Sequence, residues 1–136
     1  MIRETELDIL LKNQPGAFAD VCELFGNEKV NMRAFTLTSG GVLQVIVDDL
    51  KKAETILKKR GFPFQKTEVL TLECADRPGE MAKVCGKLAK EKVNIEFGYS
   101  SGNQQAASLV VLEVDDIEKA LSILQGKEPS PKVANN

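Results

Sequence analysis

The sequence predicts an α+β fold, two βαββαβ units in tandem that form one antiparallel sheet with four helices on one face. Three observations predict it. Nine of nineteen positions from Gln14 to Met32 recur without a gap from Arg77 to Ile95. Pro15 returns as Pro78, Cys22 as Cys85 and Asn31 as Asn94, each 63 residues on, and self-similarity at a fixed period marks a structural unit written twice. Around each Pro-Gly the apolar pattern changes period, from two before it to helical spacing after it. Finally, 136 residues divide into halves of a size at which one core is marginal, so the halves are expected to fold together.

In the first repeat, Leu7, Ile9 and Leu11 alternate with Asp8 and Lys12, a half-buried strand over Thr5 to Lys12. Pro15 suits the first position of a helix, and Phe18, Val21, Cys22 and Phe25 follow at i, i+3, i+4 and i+7, which predicts an amphipathic helix to about Glu28. Strand character returns over Val30 to Thr38, and Ser39-Gly40-Gly41 turns the chain into Val42 to Val47. Asp48-Asp49 opens a second helix with Leu50, Ala53, Ile56 and Leu57 inward. Lys58-Lys59-Arg60-Gly61 closes it, cations and glycine suiting a helix C-terminus. Phe62 to about Thr67 reads as the fourth strand.

The second repeat follows the same order. Leu70, Leu72 and Cys74 lie on a strand over Val69 to Cys74, and Met81, Val84, Cys85 and Leu88 match the first helix. Val93 to Ser101 and Ala106 to Val114 make a hairpin around Gly102-Asn103. Asp115 with Glu118 reads as a capping box ahead of Ile117, Ala120, Leu121 and Leu124. The last ten residues carry two prolines and no alternation, which predicts a flexible tail in place of a fourth strand. The expected divisions are 5–67, 68–126 and a tail over 127–136. Two βαββαβ units suggest ferredoxin-like sandwiches, and small sheets with exposed edges are better joined than left separate. A sheet of eight strands is expected, or seven without the last.

Composition narrows the function. Hydrophobic content is 43% and charged content 28%, ordinary for a globular protein. No apolar run is long enough to span a bilayer and the start has no signal-peptide pattern, which predicts a cytoplasmic protein without membrane partners. Net charge is −2, and neither half has the basic excess of a nucleic-acid binder. Histidine is absent, and with it the commonest general base and metal ligand. Cys22, Cys74 and Cys85 are an odd set without CxxC spacing, against a disulfide framework and against a thiolate metal clip. No metal, cofactor or catalytic residue is expected.

A strand, then Asn/Asp-x-Pro-Gly, then a helix, then Val-Asn-Met/Ile opening the second strand resembles the ACT domain, a small regulatory module that binds amino acids. Asn13-Gln14-Pro15-Gly16 with Val30-Asn31-Met32 carries the resemblance in the first half. Asp76-Arg77-Pro78-Gly79 with Val93-Asn94-Ile95 carries it in the second. It covers roughly residues 5 to 125 and is similar to stand-alone tandem ACT proteins. The resemblance implies a non-enzymatic regulator that binds a free amino acid where two repeats meet, and whose output is association with a second copy or a regulated partner.

The local chemistry suits that implication. A zwitterion needs N–H donors for its carboxylate, and a helix N-terminus supplies them. Gly16 and Gly79 leave the approach unblocked, beside Pro15, Ala17, Pro78 and Glu80. Asn13, Asp76, Asn31 and Asn94 offer oxygens to the ammonium, and Phe18, Met32, Met81 and Ile95 would flank the ligand's side chain. Plainer readings stand beside these: Pro-Gly as turn chemistry, the asparagines as partners of backbone groups at a strand start, and Phe18, Met81, Cys22 and Cys85 as core. Tyr99, Ser100 and Ser101 read as strand-end residues or as hydroxyl contacts. Of the rival functions, an RNA-binding module of the same order needs aromatics on its first and third strands, and Leu7 to Leu11 and Val42 to Val47 contain none. A small enzyme would rest on Asp76, Arg77 and Tyr99. An interaction or assembly module with no small ligand is the remaining alternative.

Overall fold

The computed structural model describes residues 2–101 and 107–125. Its elements are β1 (Ile2–Leu10), α1 (Ala17–Asn27), β2 (Met32–Leu37), β3 (Val42–Val47), α2 (Leu50–Lys59), β4 (Phe64–Ala75), α3 (Glu80–Lys90), β5 (Ile95–Ser100), β6 (Ala107–Val114) and α4 (Ile117–Leu124). The described strands belong to one antiparallel sheet, as the period-two stretches predict.

Among the described residues six strands stand, where eight, or seven without the last, were expected. The expected fourth strand of the first repeat and first strand of the second are one strand, β4, of twelve residues. The reason is local: Thr67-Glu68-Val69 holds neither glycine nor proline, so nothing breaks the extended backbone between the two apolar stretches. The expected tail over 127–136 and the hairpin tip at Gly102-Asn103 lie outside the described residues.

The chain divides into two compact units. One is Thr5–Glu68, with strand order β2-β3-β1-β4. Alternation puts Leu7 and Ile9 opposite Val45 and Leu43 on the face that α1 and α2 cover. Val21, Leu24 and Phe25 from α1 and Ala53, Ile56 and Leu57 from α2 complete that core. The other face carries polar groups: the Gln44 amide donates to Glu6, and the Thr67 hydroxyl to Asp8.

The other unit takes the chain from Val69 onward together with the segment up to Glu4, in the order β1-β4-β6-β5. Its core is Leu70, Leu72 and Cys74 from β4, Val110 and Leu112 from β6, Leu88 from α3 and Ala120 from α4. The sequence pattern starts the first strand at Thr5, but β1 begins at Ile2, and its opening residues serve this unit. The Thr71 hydroxyl donates to Glu4, and Arg3 pairs with Glu118 at 3.2 Å.

The duplication extends to the irregular backbone. Gly16 and Gly79 precede their helices at φ 89° and 88°, and Lys29 and Lys92 follow them at φ 60° and 61°. Both second strands carry a bulge at the same place, between Met32 and Ala34 and between Ile95 and Phe97. Pro15 is a correction: it lies in the turn before Gly16, not in the first helical turn. The left-handed glycine needs a residue ahead of it to turn the chain, which moves the helix start to Ala17.

Candidate functional site

The corner between β4 and α3 is built by a left-handed glycine. At φ 88° a residue with a Cβ is strained, and a Cβ on Gly79 would meet nothing within 4 Å. Backbone conformation, not crowding, therefore requires glycine there. No side chain caps α3. The Glu80 amide bonds the Arg77 carbonyl at 3.3 Å and the Lys83 amide bonds the Gly79 carbonyl at 3.2 Å. Helix geometry leaves Met81 and Ala82 without an intrahelical acceptor. α1 starts the same way at Gly16.

α2 and α4 are finished differently. Asp49 accepts from the Lys52 amide and Asp116 from the Lys119 amide, each at 3.1 Å. The cap of α4 is thus Asp116, where the sequence pattern put Asp115. Asp115 is engaged elsewhere. Its Oδ1 accepts from the Asn94 amide at 2.9 Å and its own amide donates to the Asn94 carbonyl at 3.1 Å. Asp48 and Asn31 repeat this bracket at 3.0 and 3.1 Å. The bracket fixes the start of each second strand through the asparagine backbone, and both asparagine residues are exposed.

A cleft of about 520 Å³ opens at the β4–α3 corner, walled by α3, β5 and β6 of the same unit. That size is within the roughly 300–1,000 Å³ of small-molecule sites. Of the residues expected from sequence, Asp76, Gly79, Met81 and Ile95 line it. Pro78, Glu80 and Asn94 are not among its walls. Glu80 instead joins Arg77 at 3.0 Å and Lys83 at 3.3 Å. The hydrogen bond from Lys83, followed by the charges of Lys83 and Arg77, holds its carboxyl below the ordinary carboxylate range.

The cleft also takes in residues that sequence reasoning passed over or weighed differently. Cys85, read as core, is part of its wall, as are Cys74, Ala82, Gly98, Ser108 and Leu112. Arg77, Tyr99 and Ser100 line it too. Gly98 was findable: written under the first repeat at the 63-residue offset, it falls beneath Phe35.

In the first repeat Asn13, Pro15 and Gly16 form the matching exposed corner, with Ala17 half-buried behind it. There Phe18 packs against Phe35 at 5.6 Å between ring centroids, and Phe18 and Met32 lean on the core. Cys22, the partner of Cys85, has its thiol pushed up by burial. A wider depression of about 610 Å³ runs between α1 and α2, with Lys51, Lys52, Lys59 and Arg60 beside Glu28 and Asp49 in its walls. It includes neither Pro-Gly corner.

A family model described as an ACT domain pair matches residues 3–129. The crystal structure of a protein from Bacteroides thetaiotaomicron is 32% identical in sequence, covers 91% of this chain and 88% of its own, and superposes with a TM-score of 0.85. The regulatory subunit of aspartate kinase from Thermus flavus shares the fold at 15% identity, covering 91% and 92%, with a TM-score of 0.63. So does E. coli aspartokinase III, solved in complex with lysine and aspartate, at 18% identity and a TM-score of 0.56, over 91% of this chain and 30% of that one. A search of curated proteins returns no match.

Proposed function

Because the chain belongs to the ACT domain-pair family, we propose that it is a non-enzymatic regulatory protein that binds a free amino acid at the Pro-Gly corner of its second repeat. One observation carries the reading: a cleft of ligand size stands on the uncapped start of α3, with Asp76 and apolar side chains in its walls. The Met81 and Ala82 amides and the positive end of the helix dipole suit a carboxylate. The Asp76 carboxylate suits an ammonium, and the apolar wall suits a side chain. A ligand bound there stabilises whichever association state completes its site, and that shift is the regulatory output. The amino-acid complex of E. coli aspartokinase III, a protein of like fold, supports this class of ligand.

Isothermal titration with each of the twenty amino acids tests the reading. Binding to the wild-type chain is expected, weakened tenfold or more in Asp76→Ala, which corresponds to about 1.4 kcal/mol. Phe35 and Leu37 on the edge strand β2 are 45% and 43% exposed, and they favour a second reading, an assembly module with no small ligand. Absence of heat with all twenty amino acids would leave that second reading in place of the first.

A further inference from the structure

The two repeats differ most where the cleft lies. At the 63-residue offset Phe18 corresponds to Met81 and Phe35 to Gly98. The correspondence holds in space as well as in sequence. Both second strands bulge at the same step, and beyond the bulge Phe35 sits opposite Val45 while Gly98 sits opposite Leu112. In the first repeat the place beside the helix start is occupied by the protein's own rings, Phe18 against Phe35 at 5.6 Å. In the second repeat one ring is replaced by a flexible thioether and the other is missing, and the cleft is there.

Resting on the amino-acid reading above, we infer that the second repeat takes one amino acid with an aromatic side chain, whose ring fills the place that Phe35 fills in the first repeat. The walls agree with a ring. Met81 is 39% exposed, an adaptable side chain whose sulfur packs favourably on aromatic edges. Cys74 and Cys85 add two more polarisable sulfurs, and Leu112 adds an apolar surface. The first repeat binds no amino acid, because Phe18 and Phe35 occupy its corresponding space. Glycine at 98 is needed for close approach: a Cβ there would lie 2.9 Å from Leu112 Cδ2 and 3.3 Å from the Val111 carbonyl oxygen. A larger side chain there crowds Leu112, itself part of the cleft wall.

The test is calorimetric titration of the full chain with L-phenylalanine, L-tyrosine and L-tryptophan against L-leucine, L-lysine, L-aspartate and glycine. At least one aromatic amino acid is expected to bind tenfold or more tighter than leucine, with one site per chain. Gly98→Phe, which restores the residue of the first repeat, is expected to weaken that binding at least tenfold. Because Gly98→Phe crowds Leu112, Met81→Phe is the companion variant. It changes an exposed side chain to the one that the first repeat carries, and a several-fold loss is expected. Tighter binding of an aliphatic or charged amino acid overturns the inference while leaving the amino-acid reading standing. Two equal sites per chain, or unchanged affinity in a folded variant of both kinds, also overturns it. Silence from all twenty amino acids removes the underlying reading instead.

Discussion

Adjacent aspartates do different work at the start of α4, and the same division holds at α2. Asp116 caps the helix, whereas Asp115 holds the Asn94 amide. Removing a cap costs about 1 kcal/mol, and removing a solvent-exposed side-chain acceptor from a backbone amide costs a similar amount. The two differ in what rescues them. Asp115→Ala is expected to lower stability in urea titration by about 1 kcal/mol, with Asp115→Asn restoring most of it, since an amide oxygen still accepts. Asp116→Ala is expected to lose helix signal at α4 and leave the β5 register intact. Equal disturbance of β5 by both alanine variants, read by amide hydrogen exchange, would refute the division. The sequence showed two aspartates ahead of an apolar run but not which one faces the helix, because a capping side chain is selected by the backbone angle at which the strand arrives.

Helix starts in this protein are of two kinds, aspartate-capped at α2 and α4 and glycine-led at α1 and α3. The aspartate takes up the third amide of its helix, which the glycine-led kind leaves without a side-chain acceptor. The cost of the glycine-led kind is a backbone conformation that favours glycine alone, which gives opposite outcomes for one substitution at two places in the same segment. Gly79→Ala is expected to destabilise by about 1 kcal/mol, from left-handed strain with no steric clash. Gly86→Ala, inside α3 with open space at its Cβ, is expected to stabilise by about 0.5–1 kcal/mol. Thermal melts of both variants measure this. A loss at position 86 would mean that an unseen neighbour needs the glycine. Helix faces were mostly legible from spacing: Val21, Phe25, Ala53, Leu57 and Leu88 are buried, whereas Met81, expected on the same face as Leu88, is 39% exposed. Starts were less legible, because Pro15 looks helical until Gly16 takes a positive φ.

For the molecule as a whole, the notable departure is the sharing of strands. β4 runs through the end of one repeat and the beginning of the next, and the opening of β1 belongs with the second repeat. The second repeat therefore gets by without a fourth strand of its own among the described residues. Deleting residues 1–4 removes the Arg3–Glu118 pair and the Thr71–Glu4 hydrogen bond. Faster hydrogen exchange is expected in β4 beyond Val69 and in β6, with the core of α1 and α2 unchanged. Uniform loss of protection in both units would count against this assignment. A tail with two prolines predicts no last strand, but nothing local in residues 2–4 signals that they join the second repeat.

Taken alone, the amino-acid order determined the two copies, the order of elements apart from the strand merged at β4, most of the buried faces and the position of the Pro-Gly corners. These follow from period and turn chemistry, which act over a few residues. Only the tertiary structure decided that one strand serves two repeats, that Asp115 brackets Asn94, and that a cleft stands open beside Gly98 while Phe18 and Phe35 pack together in its counterpart. Those outcomes depend on side chains brought together from distant positions, and whether two such groups touch or leave space between them is settled by packing.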